Sequence, residues 1–204
     1  MRASTVPAPP NDTRHPFYPT NQPPLAAEHL VRLPLGSIQP HGWLARQLAL
    51  MADGMTGRLT ELSSFLAPDN GWLGGAKDGW EEQGYWFRGF HDLAVLTGES
   101  RLLAEARRWL DAILGSQRPD GYFGAENQRR CRGANGQILV DLWPHMVMID
   151  ALIHHHEHSG DARIVPFLQR FFAFCRDLPE EQFMPWARVS ATGGRRSSAT
   201  APAT

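Results

Sequence analysis

Carboxylates and tryptophans that could bind a sugar stand at the start of a predicted helix. Trp80 is followed by Glu81 and Glu82, and Trp86 lies within the next two helical turns. A carboxylate can act on a glycosidic oxygen or accept hydrogen bonds from sugar hydroxyls, and an indole offers a flat apolar face. Adjacent helical residues point about 100° apart, so at most one of the glutamates should face a central cavity. The glutamates could instead stabilise the helix through the positive end of its dipole, and Trp86 could instead pack in the core.

Two later segments add further candidates for sugar binding. Asp120-Gly121-Tyr122 has the composition of a turn, in which Asp120 bonds its own backbone, and Tyr122 is also a candidate contact. Asp141 and His145 are four residues apart, so on a helix they would share a face and bind sugar hydroxyls or form a buried pair. No second carboxylate completes a catalytic pair, so the sequence identifies no catalytic residue. The predicted substrate-binding set is therefore Trp80, Glu81, Glu82, Trp86, Asp120, Tyr122, Asp141 and His145.

The histidines and cysteines do not predict a metal site. Residues 154–156 and 158 are histidines, but consecutive helical positions fan outwards, and only the first and last of these four share a face. Cys131 and Cys175 lack the close spacing of a zinc knuckle. We therefore expect no metal ligand and no cofactor held by this chain. Cys131 follows two arginines that could lower the pKa of its thiol, although an inert thiol is the simpler expectation.

The elements that must position these residues are helical hairpins, and one hairpin occurs twice. An apolar helix ends at Thr97-Gly98-Glu99 in the first copy and at Ser159-Gly160-Asp161 in the second, and a further apolar helix follows each turn. The two glycines are 62 positions apart (160 − 98). Such a period is typical of a ring or solenoid of helical hairpins.

Periodicity places the remaining helices. Apolar residues from Trp43 to Met55 predict a helix that Gly54 and Gly57 close. Another helix is predicted from about residue 139 to 158, with Trp143 as its regular start because Pro144 suits a first turn. The last runs over 162–175, and no segment favours a strand, so the predicted fold class is all-α.

The connections between these helices alternate in length. The turns near residues 98 and 160 are short, whereas the loops over 66–79 and 118–138 are long. Alternate connections of antiparallel hairpins lie at the same end, so both long loops should share one face. Long loops in a compact domain usually serve a function, and we therefore place the binding site on that face.

Composition and charge do not favour a nucleic-acid-binding protein or a membrane protein. The net charge of −1 over 204 residues shows no basic excess that would attract nucleic acid or an anionic membrane. Residues 1–28 are Pro-rich and lack the apolar core of a signal peptide, and no stretch is long and apolar enough to span a membrane. We predict a cytoplasmic protein with a disordered arm over 1–28, an ordered domain over 29–187 and a disordered tail over 188–204.

Four motifs together resemble the glycoside hydrolase family 127 group, the β-L-arabinofuranosidase-like proteins. These motifs are Leu33–Leu44, Gly79–Trp86, Ser116–Phe123 and Asp141–Met146, and the resemblance covers roughly residues 30 to 187. It implies the N-terminal part of an (α/α)6 toroid in a six-hairpin glycosidase. In the best-known branch a zinc-held cysteine is the nucleophile, but the resemblance places the cysteines, glutamates and zinc of that centre outside the matched region. This chain also departs from that branch at 140–143, where Val-Asp-Leu-Trp replaces His-Glu-Leu-Tyr.

The resemblance implies a fragment of a glycoside hydrolase acting on plant-type oligosaccharides, inactive alone because the catalytic half is missing. A non-catalytic carbohydrate-binding or scaffold domain is the first alternative. Gln117–Tyr122 also resembles a repeat of terpenoid cyclases, which are α/α toroids too, but the Asp-rich motif of those enzymes is missing. Too few hairpins are present to close a ring, so we expect exposed apolar helix faces and self-association.

Overall fold

The structure is a computed structural model that describes Pro24 and residues 33–184. Apart from Pro24, the predicted arm over 1–28 lies outside the described residues, and so does the predicted tail over 188–204. The described chain is mainly helical, which confirms the predicted fold class. The helices are α1 Gly42–Asp53, α2 Met55–Leu62, α3 Glu81–Thr97, α4 Ser100–Gly115, α5 Glu126–Arg129, α6 Trp143–Ser159 and α7 Ile164–Asp177.

A small antiparallel hairpin lies in the second long loop. Its strands are β1 Cys131–Arg132 and β2 Ile138–Leu139. The prediction that the chain forms no strand was wrong at this point, because two residues per strand give no alternating pattern to detect.

The doubled hairpin is present as predicted, in α3–α4 and in α6–α7. Gly98 ends α3 and Gly160 ends α6, each in the left-handed conformation, with φ of 67° and 68°. Their amides donate to the carbonyls of Ala94 and His156. Glycine at these two positions stops each helix and lets the next one begin at once.

The first helical segment differs from the prediction. Gly54 ends α1, but Gly57 lies inside α2 and does not close a helix. A side chain at Gly57 would collide with the carbonyl oxygen of Ala52, so glycine permits the sharp bend between α1 and α2. Arg101 donates to the carbonyl oxygens of Gly57 and Ala52 at 2.8 and 2.9 Å and so satisfies backbone groups exposed by the bend.

The core is rich in aromatic side chains, and α3 packs mainly on α6 and α4. Buried rings from these helices and α7 include Trp86, Phe87, Phe90, Trp109, Phe167 and Phe171. By contrast, α1, α2 and the turn after them expose large apolar side chains, namely Trp43, Leu44, Leu50, Met55, Leu62 and Phe65. Among the residues that the structure describes, no helix is long and apolar enough to cross a bilayer.

Candidate functional site

The two long loops meet at one end of α3 and α6, as the alternation of connections predicts. The amide of Gly79 donates to Asn127 Oδ1 at 3.2 Å, and Asn127 Nδ2 donates back to the Gly79 carbonyl at 3.0 Å. The buried Gln128 also donates to that carbonyl. Side-chain amides of the second loop therefore fix the backbone of the first loop just before α3 begins.

A buried tryptophan fixes the shape of the first loop. Asn70 Oδ1 accepts from the backbone of Trp72, and Trp72 Nε1 donates to the Trp80 carbonyl at 3.0 Å. Side chains at Gly79 or Gly124 would lie 2.7 or 2.6 Å from the Trp72 ring, so both positions require glycine for this close approach. Trp72 thus sets the position of Trp80 through its backbone.

The start of α3 is capped by Gln83, a role that was not predicted from the sequence. Gln83 is buried; its Oε1 accepts from the Trp80 amide at 2.8 Å, and its Nε2 donates to the Phe65 carbonyl at 2.7 Å. A glutamine three residues after a helix cap is the signal of a capping box and could have identified it.

Two indole rings and two carboxylates cross-link α3 to the start of α6. Trp80 Nε1 donates to Asp141 Oδ2 at 3.0 Å, and Trp143 Nε1 donates to Glu81 Oε2. Asp141 Oδ1 also accepts at 3.0 Å from the backbone amide of Trp143, the first residue of α6. We call these four residues the indole–carboxylate clasp: Trp80, Glu81, Asp141 and Trp143.

The clasp leaves two of its predicted sugar contacts accessible. Trp80 is 41% exposed, and Glu81 is half-buried. Among the described residues, the second oxygen of Glu81 has no hydrogen-bond partner. Glu82 is exposed and lies outside the clasp, so the structure distinguishes the two glutamates that the sequence could not.

The expected shared helical face of Asp141 and His145 was wrong, because α6 begins at Trp143 and Asp141 precedes it. Asp141 is 3% exposed, and both its oxygens accept hydrogen bonds. His145 Nε2 instead lies 2.8 Å from the Phe123 carbonyl, and its ring stacks on Phe171. Burial lowers the pKa of His145 to about 4, which keeps the imidazole neutral.

Three other predicted contacts form no hydrogen bond with the clasp residues in the described part of the chain. Trp86 is buried, stacks on Phe90 with ring centroids 4.5 Å apart and donates to the Thr56 carbonyl, so it serves the core. Tyr122 is fully buried, its hydroxyl donates to the Ala125 carbonyl, and burial raises its pKa well above the usual range. Asp120 is exposed and accepts from the Tyr122 amide, which is its predicted turn role.

Cys131 does not have an activated thiol. Burial, followed by the charge of Asp141, raises the pKa of Cys131, and its Sγ donates to the Asn127 carbonyl. The idea that neighbouring arginines lower this pKa was therefore wrong. Within residues 33–184, no three histidine, cysteine or acidic side chains converge as metal ligands.

Comparison with known proteins gives one match. The family model described as β-L-arabinofuranosidase, GH127 catalytic domain, matches residues 31–189 of the 204. Neither the curated proteins nor the solved structures contain a significant match to the chain. The matched segment includes both hairpins and the whole indole–carboxylate clasp. On this evidence the chain belongs to the family of GH127 β-L-arabinofuranosidase-type catalytic domains.

Proposed function

We propose that the indole–carboxylate clasp is a carbohydrate-binding surface of a glycoside hydrolase that acts on arabinose-bearing, plant-type oligosaccharides. One observation supports this most directly: Trp80 is 41% exposed, and the next residue, Glu81, keeps one carboxylate oxygen without a hydrogen-bond partner among the described residues. A C–H-rich sugar face stacks on an indole, while sugar hydroxyls donate to a neighbouring carboxylate.

The clasp also orients these groups before a ligand arrives. Asp141 holds the Trp80 ring through Nε1, and Trp143 holds one Glu81 oxygen. Groups that are already held in place lose less conformational freedom on binding, so more of the contact energy appears as affinity. Glu82, which has no such tether, is the weaker candidate of the glutamate pair.

We further propose that the chain does not hydrolyse glycosides alone. Glycosidases generally need two carboxyl groups around the scissile bond. Asp141 is 3% exposed and accepts two N–H bonds, so Glu81 alone offers an available carboxylate oxygen in the clasp. Family membership implies that the remaining groups, with any zinc, come from another part of a complete toroid. A cytoplasmic location stays a prediction.

Calorimetric titration of the chain with arabinose-bearing oligosaccharides tests the proposal. We expect binding without turnover, and we expect Trp80→Ala to abolish it. Trp43→Ala is the matched control, because Trp43 is 79% exposed on α1, outside the clasp. Trp80→Phe keeps a flat ring and should retain weaker binding, which separates lost stacking from misfolding.

Binding that survives Trp80→Ala in a folded variant would contradict the proposed surface. Turnover by the chain alone would show that it is a complete enzyme. Binding without turnover would also suit the alternative of a carbohydrate-binding module, and restored hydrolysis on adding the remaining part of a toroid would separate the two. Family membership leaves the terpenoid-cyclase alternative without support.

A further inference from the structure

Two histidines face each other at the opposite end of α3 and α6, near the short turns. His91 of α3 is buried, and its Nε2 lies 3.1 Å from Nδ1 of His155 on α6. The rings meet edge to face, with centroids 5.2 Å apart. One of the two nitrogens must carry a hydrogen and the other must accept it, because two N–H groups cannot bond each other.

The outer nitrogen of each ring faces a carboxylate. His91 Nδ1 lies 3.4 Å from Asp92 Oδ1, and His155 Nε2 lies 3.4 Å from Asp161 Oδ2. Both outer positions therefore favour an N–H group, in addition to the hydrogen shared at the centre. Two neutral imidazoles carry two hydrogens on nitrogen, and this arrangement uses three, so it suits a pair with one excess proton.

The surrounding charges keep these carboxylates ionised. Burial raises the pKa of Asp92, but hydrogen bonds from His154 and His91 outweigh it and hold the pKa at about 2. The hydrogen bond from Arg163 holds the pKa of Asp161 well below its usual range. A cavity of about 290 Å³ adjoins the pair between α3, α4 and α6. Its other ionisable lining groups are Arg107 and Asp111 of α4, His158 of α6 and Arg163 just before α7.

We propose that His91 and His155 form a pH-sensitive proton clasp, which holds α3 to α6 with one shared proton and opens when a second proton binds. The second proton puts hydrogens on both inner nitrogens and a second positive charge in the buried pair, so the central bond is lost. Consistent with this, burial, followed by the charge of His91, lowers the pKa of His155 to about 4.

Hydrogen exchange of the wild-type chain tests the proton clasp as pH falls from about 6 to about 3. After correction for intrinsic exchange, we expect protection of the turns at 97–100 and 159–161 to fall by up to about tenfold per pH unit below the second protonation, because one proton is taken up. His155→Asn places a neutral hydrogen-bonding group near the former Nδ1 and should remove this acid loosening. His41→Asn, at an exposed histidine before α1, is the matched control and should behave as wild type.

Acid loosening of these turns that is identical in His155→Asn and wild type would overturn the proposal. Ring ¹⁵N shifts of the wild-type chain provide a test that needs no variant. We expect the His155 ring to gain its proton only near pH 4. A His155 ring that titrates near the ordinary histidine pKa would equally overturn the proposal.

Discussion

The two ends of the α3–α6 pair are cross-linked by different chemistry. At the long-loop end, indole N–H groups of Trp80 and Trp143 donate to carboxylates. At the short-turn end, His91 and His155 bond each other between Asp92 and Asp161. An indole is a donor at every physiological pH, whereas an imidazole changes role when it gains a proton.

The long-loop end can therefore keep its geometry as pH changes, whereas the short-turn end can respond to pH. The clasp at the long-loop end can hold the Trp80 ring in one orientation over a wide pH range, as a binding surface requires. The histidine pair can release the other end of the same helices when the pH falls. Substitutions at one end should therefore leave the other end intact.

Asp141→Ala should break the long-loop end most severely. It leaves the N–H groups of Trp80 and Trp143 without their acceptor, and we expect a loss of about 3 kcal/mol in the free energy of unfolding. Urea unfolding at neutral pH measures it. Asp120→Ala, at an exposed carboxylate, should lose less than about 1 kcal/mol. Equal losses in the two variants would contradict the role of Asp141 in the clasp.

Acid should destabilise the chain through His145, which lies near the long-loop end. Burial lowers its folded-state pKa to about 4, below the ordinary value of 6.5. The unfolded state therefore binds more protons between these values, and the stabilisation present above about pH 6.5 is lost as pH falls through about 4, by up to about 3 kcal/mol. His145→Gln keeps a donor for the Phe123 carbonyl. It should flatten the pH dependence of the free energy of unfolding, so that only the contribution of His155 remains. An unchanged slope would show that His145 is not buried as a neutral ring.

Glu81→Gln should change binding more than stability. The amide oxygen can still accept from Trp143, so we expect a change in unfolding free energy below about 1 kcal/mol. Loss of the charge should weaken oligosaccharide binding by about tenfold, because charge-assisted hydrogen bonds are stronger than neutral ones. Calorimetry of Glu81→Gln beside Glu82→Gln checks this, and a larger loss in the Glu82 variant would reverse the assignment.

The exposed apolar face of α1 and α2 lies outside both ends of the α3–α6 pair. Substitutions on this face should therefore have the smallest effect on the two ends. We expect self-association through this face, because Trp43 and Met55 are 79% and 71% exposed. Sedimentation velocity over a range of concentrations should show mass rising with concentration, and Met55→Lys should reduce the rise. A monomer at all concentrations would contradict this expectation.

Local signals predicted much of the fold. The ends of α3 and α6 were predicted from the glycines that follow each apolar stripe, Gly98 and Gly160, and the start of α6 at Trp143 was predicted from Pro144. The shared face of the long loops followed from topology alone. The two-residue strands and the bend at Gly57 left no periodic signal that could be detected.

Side-chain contacts at the long-loop end were harder to predict than the meeting of the two long loops. Trp80 and Asp141 are 61 residues apart, and nothing local to either indicates that their side chains meet. His145 and Tyr122 carry polar atoms, yet the fold buries both against Phe123 and neighbouring rings, which only tertiary packing decides. The predicted shared face of Asp141 and His145 was wrong because it required α6 to start at Asp141 or earlier, whereas α6 starts at Trp143.

Hydrogen exchange of the wild-type chain at neutral pH, with and without an arabinose-bearing oligosaccharide, tests whether the indole–carboxylate clasp binds carbohydrate. We predict that the ligand increases protection at residues 79–83 and 141–143 and leaves the turns at 97–100 and 159–161 unchanged. Protection confined to the short-turn end, or no protection at either end with a ligand that binds, would contradict the assignment of the indole–carboxylate clasp as the carbohydrate surface.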